Sequence, residues 1–313
     1  MLFSVFLLLA GLALLVIAGD YFVKGSVGLA ERIGVPALII GLTVVAFGTS
    51  APELFTSVQA SLWGSPGIAV GNVVGSNIAN VLLVLGLPAL IAPIVAHGAG
   101  VRRNLAVMLV VTVVFMWLLG NGHIGRLEGL ALFLGLCAFI GWQILEGMNG
   151  RAMPEHDFHD EVGDAPGRPG RITAYLLAGA IGLPVAAQLT VKGATGIAST
   201  FGISDAAIGL TIVAIGTSLP ELATTFMAAL RRSAAVAIGN VVGSNIFNAA
   251  GIMGLTALIA PVDVDQHIID FDMWVMLGAA LLLAVIGFAR ISLGKIAGAA
   301  MFAGFVVYII SVF

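Results

Sequence analysis

GLTVVAFGTSAPELFTSVQASLWGSPGIAVGNVVGSNIAN, residues 41–80, returns as GLTIVAIGTSLPELATTFMAALRRSAAVAIGNVVGSNIFN, residues 209–248. Aligned without a gap at an offset of 168, 25 of the 40 positions are identical. Low-complexity apolar sequence does not produce such a match, because Gly, Thr, Ser, Pro, Glu and Asn carry much of it. A weaker pair, YFVKGSVG (21–28) and LTVKGATG (189–196), carries the duplication back toward the N-terminus of each half.

Composition says what surrounds these repeats. The 313 residues are 60% hydrophobic and 9% charged, with a mean hydropathy of +1.12. A soluble domain carries about 25% charged residues, so this chain must use lipid as part of its solvent. The formal charge of −3 offers no basic surface for nucleic acid. The lone Cys137 excludes an intramolecular disulfide and a Cys-based metal site, and a packing role is expected of it. The first 25 residues lack a basic n-region and run apolar for longer than a secretion signal, so they are expected to be a retained first span.

Apolar stretches of about 20 residues fall at 2–30, 36–62, 67–93, 103–120, 126–146, 171–200, 204–230, 235–261, 271–289 and 293–313. The expected fold is thus an all-α polytopic membrane protein of ten transmembrane helices. Residues 1–146 form the first five-helix repeat, 147–170 a polar linker and 171–313 the second repeat. Five is odd, so span seven runs opposite to span two, and the duplication becomes an inverted-topology repeat of the kind found in secondary transporters.

Arg32, Arg102, Arg103, Arg151, Arg168, Arg171, Arg231, Arg232, Arg290 and Lys295 fall on one side of this arrangement and only Arg126 on the other. Positive charge stays inside, which makes the 147–170 linker cytoplasmic and puts both termini outside. The chain is expected to be a multi-pass protein of the cell's inner (plasma) membrane. Trp63, Trp117, Trp142 and Trp274 all lie near span ends, as interfacial tryptophans do.

The costly residues mark the chemistry. GTSAPE (48–53) and GTSLPE (216–221) put Gly, Pro and a carboxylate in mid-span. A charge at the centre of a membrane helix costs about 2.5–3.5 kcal/mol on the insertion scale, so Glu53 and Glu221 demand a partner, and a bound cation is the obvious one. Pro52 and Pro220 lack an N–H, which frees carbonyls one turn earlier, near Gly48 and Gly216. Thr49, Ser50, Thr217 and Ser218 add further oxygens. A hard all-oxygen site of this kind suits Ca²⁺ or Na⁺. In the GNVVGSN segments, Asn72, Ser76 and Asn80 fall to one side of a helix, as do Asn240, Ser244 and Asn248. Their glycines allow close helix approach.

These motifs resemble the α-repeats of the cation/Ca²⁺ exchanger superfamily, specifically its prokaryotic Na⁺/Ca²⁺ exchanger branch, and the resemblance spans essentially the whole chain. It implies that Glu53 and Glu221 bind Ca²⁺ together with the main-chain carbonyls of Thr49 and Thr217. It further implies Na⁺ sites at Ser50, Ser76, Ser218 and Ser244 with carbonyls of Ala46 and Ala214, and Asn80 and Asn248 bordering the centre. Relatives often carry an aspartate where Asn248 stands, so here two carboxylates rather than three face the ion. The implied activity is antiport by alternating access, exporting Ca²⁺ against Na⁺ or H⁺, with inorganic cations and the bilayer as partners and no cofactor.

Other features are expected to be structural. Asp20 and Lys24 make an i,i+4 ion pair; His156 and His159 sit in a solvated linker; Asp263, Asp265, Asp270, Asp272 and His267 form a solvated outer loop. Two other classes compete with antiport. A passive channel usually builds its filter from oligomeric symmetry, and an intramembrane enzyme would need a nucleophile–base pair that the repeats lack.

Overall fold

The computed structural model describes residues 1–35, 37–62, 66–95, 99–148, 167–200 and 214–312. His156, His159 and Trp63 lie outside the described residues, as does the start of the seventh apolar stretch.

The first half opens with α1 (Leu2–Ile33), then a segmented helix made of α2 (Ala37–Ile40), a π turn (Gly41–Val45), α3 (Ala46–Thr49) and α4 (Ala51–Leu62). It continues through α5 (Pro66–Ala79), a second π turn (Asn80–Leu85), α6 (Gly86–Ala89), α7 (Ala99–Leu119) and α8 (Arg126–Met148). The second half repeats the order: α9 (Pro169–Thr200), α10 (Ala214–Thr217), α11 (Leu219–Leu230), α12 (Ala234–Ile246), a π turn (Phe247–Ile252) and α13 (Met253–Ile259). A π turn (Ile268–Asp272) leads into α14 (Met273–Phe288), and α15 (Lys295–Val312) closes the chain.

Seven of the described helices are long and apolar enough to cross a membrane, and an eighth counts if 38–49 and 51–62, bent by 47°, form one span. The described parts of Leu219–Leu230 and Lys295–Ser311 are apolar but shorter.

The surface identifies the solvent. Leu2, Phe6, Leu127, Ile296 and Ile310 are all more than 60% exposed, while Glu53, Glu221, Asn77, Asn80, Asn240 and Asn248 are buried. Apolar outside and polar inside is the reverse of a water-soluble protein and is what hydrocarbon requires. Cys137 belongs to that outer face, so the packing role expected from sequence is corrected. On a membrane helix every face is apolar, and sequence does not reveal which one is lipid.

The interior is organised by close approach of the two halves. Helices α1 and α9 pack antiparallel along their length, and a Cβ at Gly193 would lie 2.4 Å from the Leu8 nitrogen. Helix α12 crosses the π turn at 41–45 just as tightly: a Cβ at Gly243 would lie 2.6 Å from the Leu42 carbonyl oxygen. Without lipid-driven sorting of apolar faces, such glycine contacts supply much of the association between membrane helices.

The all-α expectation needs one amendment. Two tiny antiparallel ladders tie loops together, β1 (Ile94–Val95) with β4 (Ser292–Leu293) and β2 (His123–Ile124) with β3 (Val262–Asp263). Each ladder joins one loop from each half, so its two loops lie side by side.

Candidate cation site

Both helices that carry the glutamates break just before them. Ser50 (φ −86°, ψ 8°) and Ser218 (φ −86°, ψ 5°) leave the helical region in nearly the same way. Each break starts a new helix, with Pro52 and Pro220 in its first turn, where a missing N–H is harmless. Glu53 and Glu221 therefore stand in the first turns of α4 and α11, where the positive end of the helix dipole favours a carboxylate. Both side chains are 1% exposed.

The two halves meet here. The Ser50 hydroxyl of the first half donates to Glu221 Oε1 of the second at 2.9 Å. The Thr49 hydroxyl shares its single proton between Asn240 Oδ1 at 3.2 Å and the Ala46 carbonyl at 3.3 Å. Helix α4 packs against the π turn that holds Asn248, and α11 against the one that starts with Asn80. π turns are rare and cluster at functional sites.

The backbone around each glutamate is fixed by its own half in the same way. Asn72 Nδ2 donates to the Glu53 carbonyl (3.2 Å) and to Ser57 Oγ (2.9 Å). Asn240 Nδ2 donates to the Glu221 carbonyl (3.3 Å) and to Thr225 Oγ1 (2.9 Å). Both asparagines thus act on main chain and hydroxyl groups, clamping the helix that bears the acid.

What remains unsatisfied is informative. Glu53 Oε2, Glu221 Oε2, Asn80 Oδ1, Asn248 Oδ1, Ser218 Oγ and Ser244 Oγ are buried and, among the described residues, have no hydrogen-bond partner. An unpaired buried polar atom costs about 1–3 kcal/mol, more if charged. These six oxygens come from repeat-related motifs, and a dehydrated cation is the kind of partner that such donor-less oxygens accept. Among the described residues no three His, Cys, Asp or Glu side chains come together; the buried groups here are two carboxylates and neutral oxygens, the ligand types that calcium takes.

Of the remaining candidates, Ser76 is buried in α5 and Thr217 ends α10 beside the break. The Ala46 carbonyl already accepts the Ser50 N–H (3.0 Å) and the Thr49 hydroxyl; a cation at that carbonyl would have to displace the hydroxyl. Ala214 starts α10. Asn77 and Asn245 were not singled out by sequence, although they sit inside the duplicated GSN triplets.

Access to this region is lopsided. A cavity of about 470 Å³ lies between α4, α9 and α10, lined by Pro52, Phe55, Thr56, Gln188, Lys192 and Thr217 among others. At the repeat-related position the described helices are in close contact. There α1 lies so near α11 that a Cβ at Gly19 would sit 3.2 Å from the Ala223 carbonyl oxygen. Asp20 pairs there with Lys24 at 3.1 Å and also with Arg231 across the repeat boundary. The expected Asp20–Lys24 pair is thus present, with a partner that sequence spacing could not supply. Gln188 and Lys192, the counterparts of Asp20 and Lys24, line the open cavity instead.

The acidic loop expected to be merely solvated is partly built in. Asp272 is 7% exposed, accepts the Tyr308 hydroxyl at 3.0 Å and contacts His267 Nδ1 at 3.0 Å. Asp263 pairs with His123 at 2.6 Å on the surface.

A family model described as "Sodium/calcium exchanger protein" matches residues 3–145 and 171–313. The chain is 38% identical to the inner membrane protein YrbG of Escherichia coli (strain K12), covering 99% of this chain and 96% of that protein. It is 32% identical to the sodium/calcium exchanger MaX1 of Methanosarcina acetivorans, covering 89% of each. Among solved structures, the sodium-calcium exchanger NCX_Mj soaked with 2.5 mM Na⁺ and 0.1 mM Ca²⁺ matches with a TM-score of 0.84 at 34% identity, over 98% of both chains.

Proposed function

The chain belongs to the sodium/calcium exchanger protein family, and on that premise we propose that it exports Ca²⁺ in exchange for Na⁺ by alternating access. The observation that carries the reading is the Ser50–Glu221 bond between halves, set among six buried oxygens that lack donors. The ion site is then one composite of both repeats, with Glu53 and Glu221 as its charges and Ser50, Ser76, Ser218, Ser244, Asn80 and Asn248 as neutral ligands. Carbonyls of Thr49 and Thr217 complete the Ca²⁺ shell, and those of Ala46 and Ala214 serve Na⁺.

Coupling follows from charge. Two carboxylates held in a low-dielectric interior without a counter-ion cost several kcal/mol each. An empty site therefore resists occlusion, and an occupied one does not. Only the loaded protein passes between access states, which forbids uncoupled return. The open cavity beside α9 and the close helix contact beside α1 support one such state.

The proposed topology is ten spans in two inverted five-helix halves, with both termini outside and residues 147–170 cytoplasmic. The cavity then opens outward. Thr56→Cys, in a Cys137→Ala background, is expected to react with a membrane-impermeant thiol reagent added outside. Thr224→Cys, its buried counterpart, is expected to stay unlabelled. Labelling of Thr56→Cys only from the cytoplasmic face would invert the topology.

Proton coupling is the second reading, favoured by Asn248, which leaves the site one acid short of relatives that carry aspartate there. Ca²⁺ uptake into proteoliposomes distinguishes the two. With voltage clamped, an outward Na⁺ gradient is expected to drive accumulation, and a pH gradient of equal size to drive little. The reverse result would assign the counter-ion as H⁺. Flux that needs neither gradient and does not saturate would point to a channel.

A further inference from the structure

At the crossing of α5 and α12, four amides form a closed arrangement across the repeat boundary. Asn77, Asn80, Asn245 and Asn248 are each at most 4% exposed. Asn77 Nδ2 donates to the Asn245 main-chain carbonyl, and Asn245 Nδ2 to the Asn77 carbonyl, both at 3.4 Å. Asn248 Nδ2 donates to Asn77 Oδ1 at 3.0 Å, and Asn80 Nδ2 to Asn245 Oδ1 at 3.1 Å. The sulfurs of Met276 and Met108 cap the inner pair at 3.8 and 3.9 Å.

The direction of every amide follows from one fact. A main-chain carbonyl can only accept, so the NH₂ of Asn77 must face Asn245 and its Oδ1 must face Asn248. That oxygen requires a donor, so Asn248 presents its own NH₂. The Asn248 oxygen is thereby turned the other way, where it stays buried and, among the described residues, without a partner. The same chain of constraints runs from Asn245 to Asn80, whose Oδ1 is likewise buried and unpaired. Flipping either outer amide would set oxygen against oxygen.

We propose that Asn77 and Asn245 are positioning residues for ion binding, each locking the amide of the opposite repeat so that Asn248 and Asn80 offer oxygen rather than NH₂ to the transported cation. This rests on the reading of Asn80 and Asn248 as ligands. An amide that could rotate would present a donor to a cation half the time, and holding it costs nothing further at the moment of binding, which is the benefit of preorganisation. The two halves also order each other's ligands, so the site is complete only when both are docked.

The test is Ca²⁺ exchange in proteoliposomes, with KM and maximal rate per folded protein measured separately. Asn77→Leu is expected to raise the Ca²⁺ KM by roughly tenfold or more, the scale set by one buried hydrogen bond, with little change in maximal rate. Asn77→Asp keeps an oxygen toward Asn248 and, when protonated, a donor toward the Asn245 carbonyl; it is expected to restore KM to near the unsubstituted value. Asn248→Ala alone should also raise KM, and adding Asn77→Leu to it should raise KM little further. If Leu at 77 prevents folding, Asn77→Ser removes the amide with the same expectation.

A merely structural role would lower the yield of folded protein and leave KM unmoved in Asn77→Leu and Asn77→Ser, and that result overturns the inference. Independent effects, with Asn77→Leu and Asn248→Ala multiplying in KM, overturn it equally. If Asn80→Ala and Asn248→Ala themselves leave KM unchanged, the assignment of these two as ligands falls, and the positioning role falls with it. A raised KM in Asn248→Ala beside an unchanged KM in Asn77→Leu removes the positioning role alone.

Discussion

Glu53→Gln and Glu221→Gln are each expected to cut Ca²⁺ exchange by a factor of about 100 or more while leaving the protein folded. The size follows from the burial of both side chains. Removing one partner of a buried, charge-balanced set costs about 3–5 kcal/mol, and each 1.4 kcal/mol is about a factor of ten in affinity. Glutamine keeps the shape of the side chain and removes a charge that is expensive to insert, so yield and monodispersity should hold or improve. The two variants should be equally damaged, because the site takes one glutamate from each half. Near-normal exchange in either variant would mean that the carboxylate is structural.

The second large effect concerns assembly. Gly243→Val is expected to abolish the monodisperse folded protein. A Cβ there would lie 2.6 Å from the Leu42 carbonyl oxygen, 2.7 Å from the Leu42 Cα and 2.8 Å from the Ala46 Cβ. Main-chain atoms cannot rotate aside, so α12 would have to move away from the π turn at 41–45. Overpacking a core costs about 1–3 kcal/mol when side chains can adjust, and here the obstacle is backbone. The same shift would pull Asn240 from Thr49 and separate the halves that build the site. Gly135→Val, on the outward face of α8 with nothing within 4 Å, is the matched control and should behave as the unsubstituted protein. Size-exclusion profiles in detergent separate the outcomes, and a normal profile for Gly243→Val would contradict the close crossing.

Much of the candidate site was legible because its residues are too costly for a membrane interior to carry without reason. Glu53, Ser50 and Asn80 stand out from an apolar background, and each has a counterpart 168 positions on, in Glu221, Ser218 and Asn248. The membrane class was equally plain from composition. What sequence could not supply was direction. When all faces of a helix are apolar, periodicity no longer marks the buried side, which is why the packing role expected of Cys137 did not say that it lies on the outer face. Contacts between halves were hidden for another reason. The partners Asp20 and Arg231 are 211 positions apart, and Asn77 and Asn248 are 171 apart; no local spacing rule reaches that far. The π turns at Asn80 and Phe247 pack against α11 and α4, partners that no local pattern names.

Asp272 teaches a narrower lesson. An acid in a polar outer loop was read as solvated, but Tyr308, in the last helix, supplies it a hydroxyl. The duplication also gave a way to use asymmetry. Where two related positions hold the same residue and differ in environment, as with buried Thr224 and cavity-lining Thr56, the difference comes from the packing around them and not from the residue.

The central claim is that both halves contribute to one cation site. Equilibrium binding of Ca²⁺ to the purified protein in Na⁺-free solution tests it most directly. The account predicts a single Ca²⁺ per chain, lost in Glu53→Gln and lost equally in Glu221→Gln. A Ca²⁺ that stays bound at full affinity in either variant would contradict it.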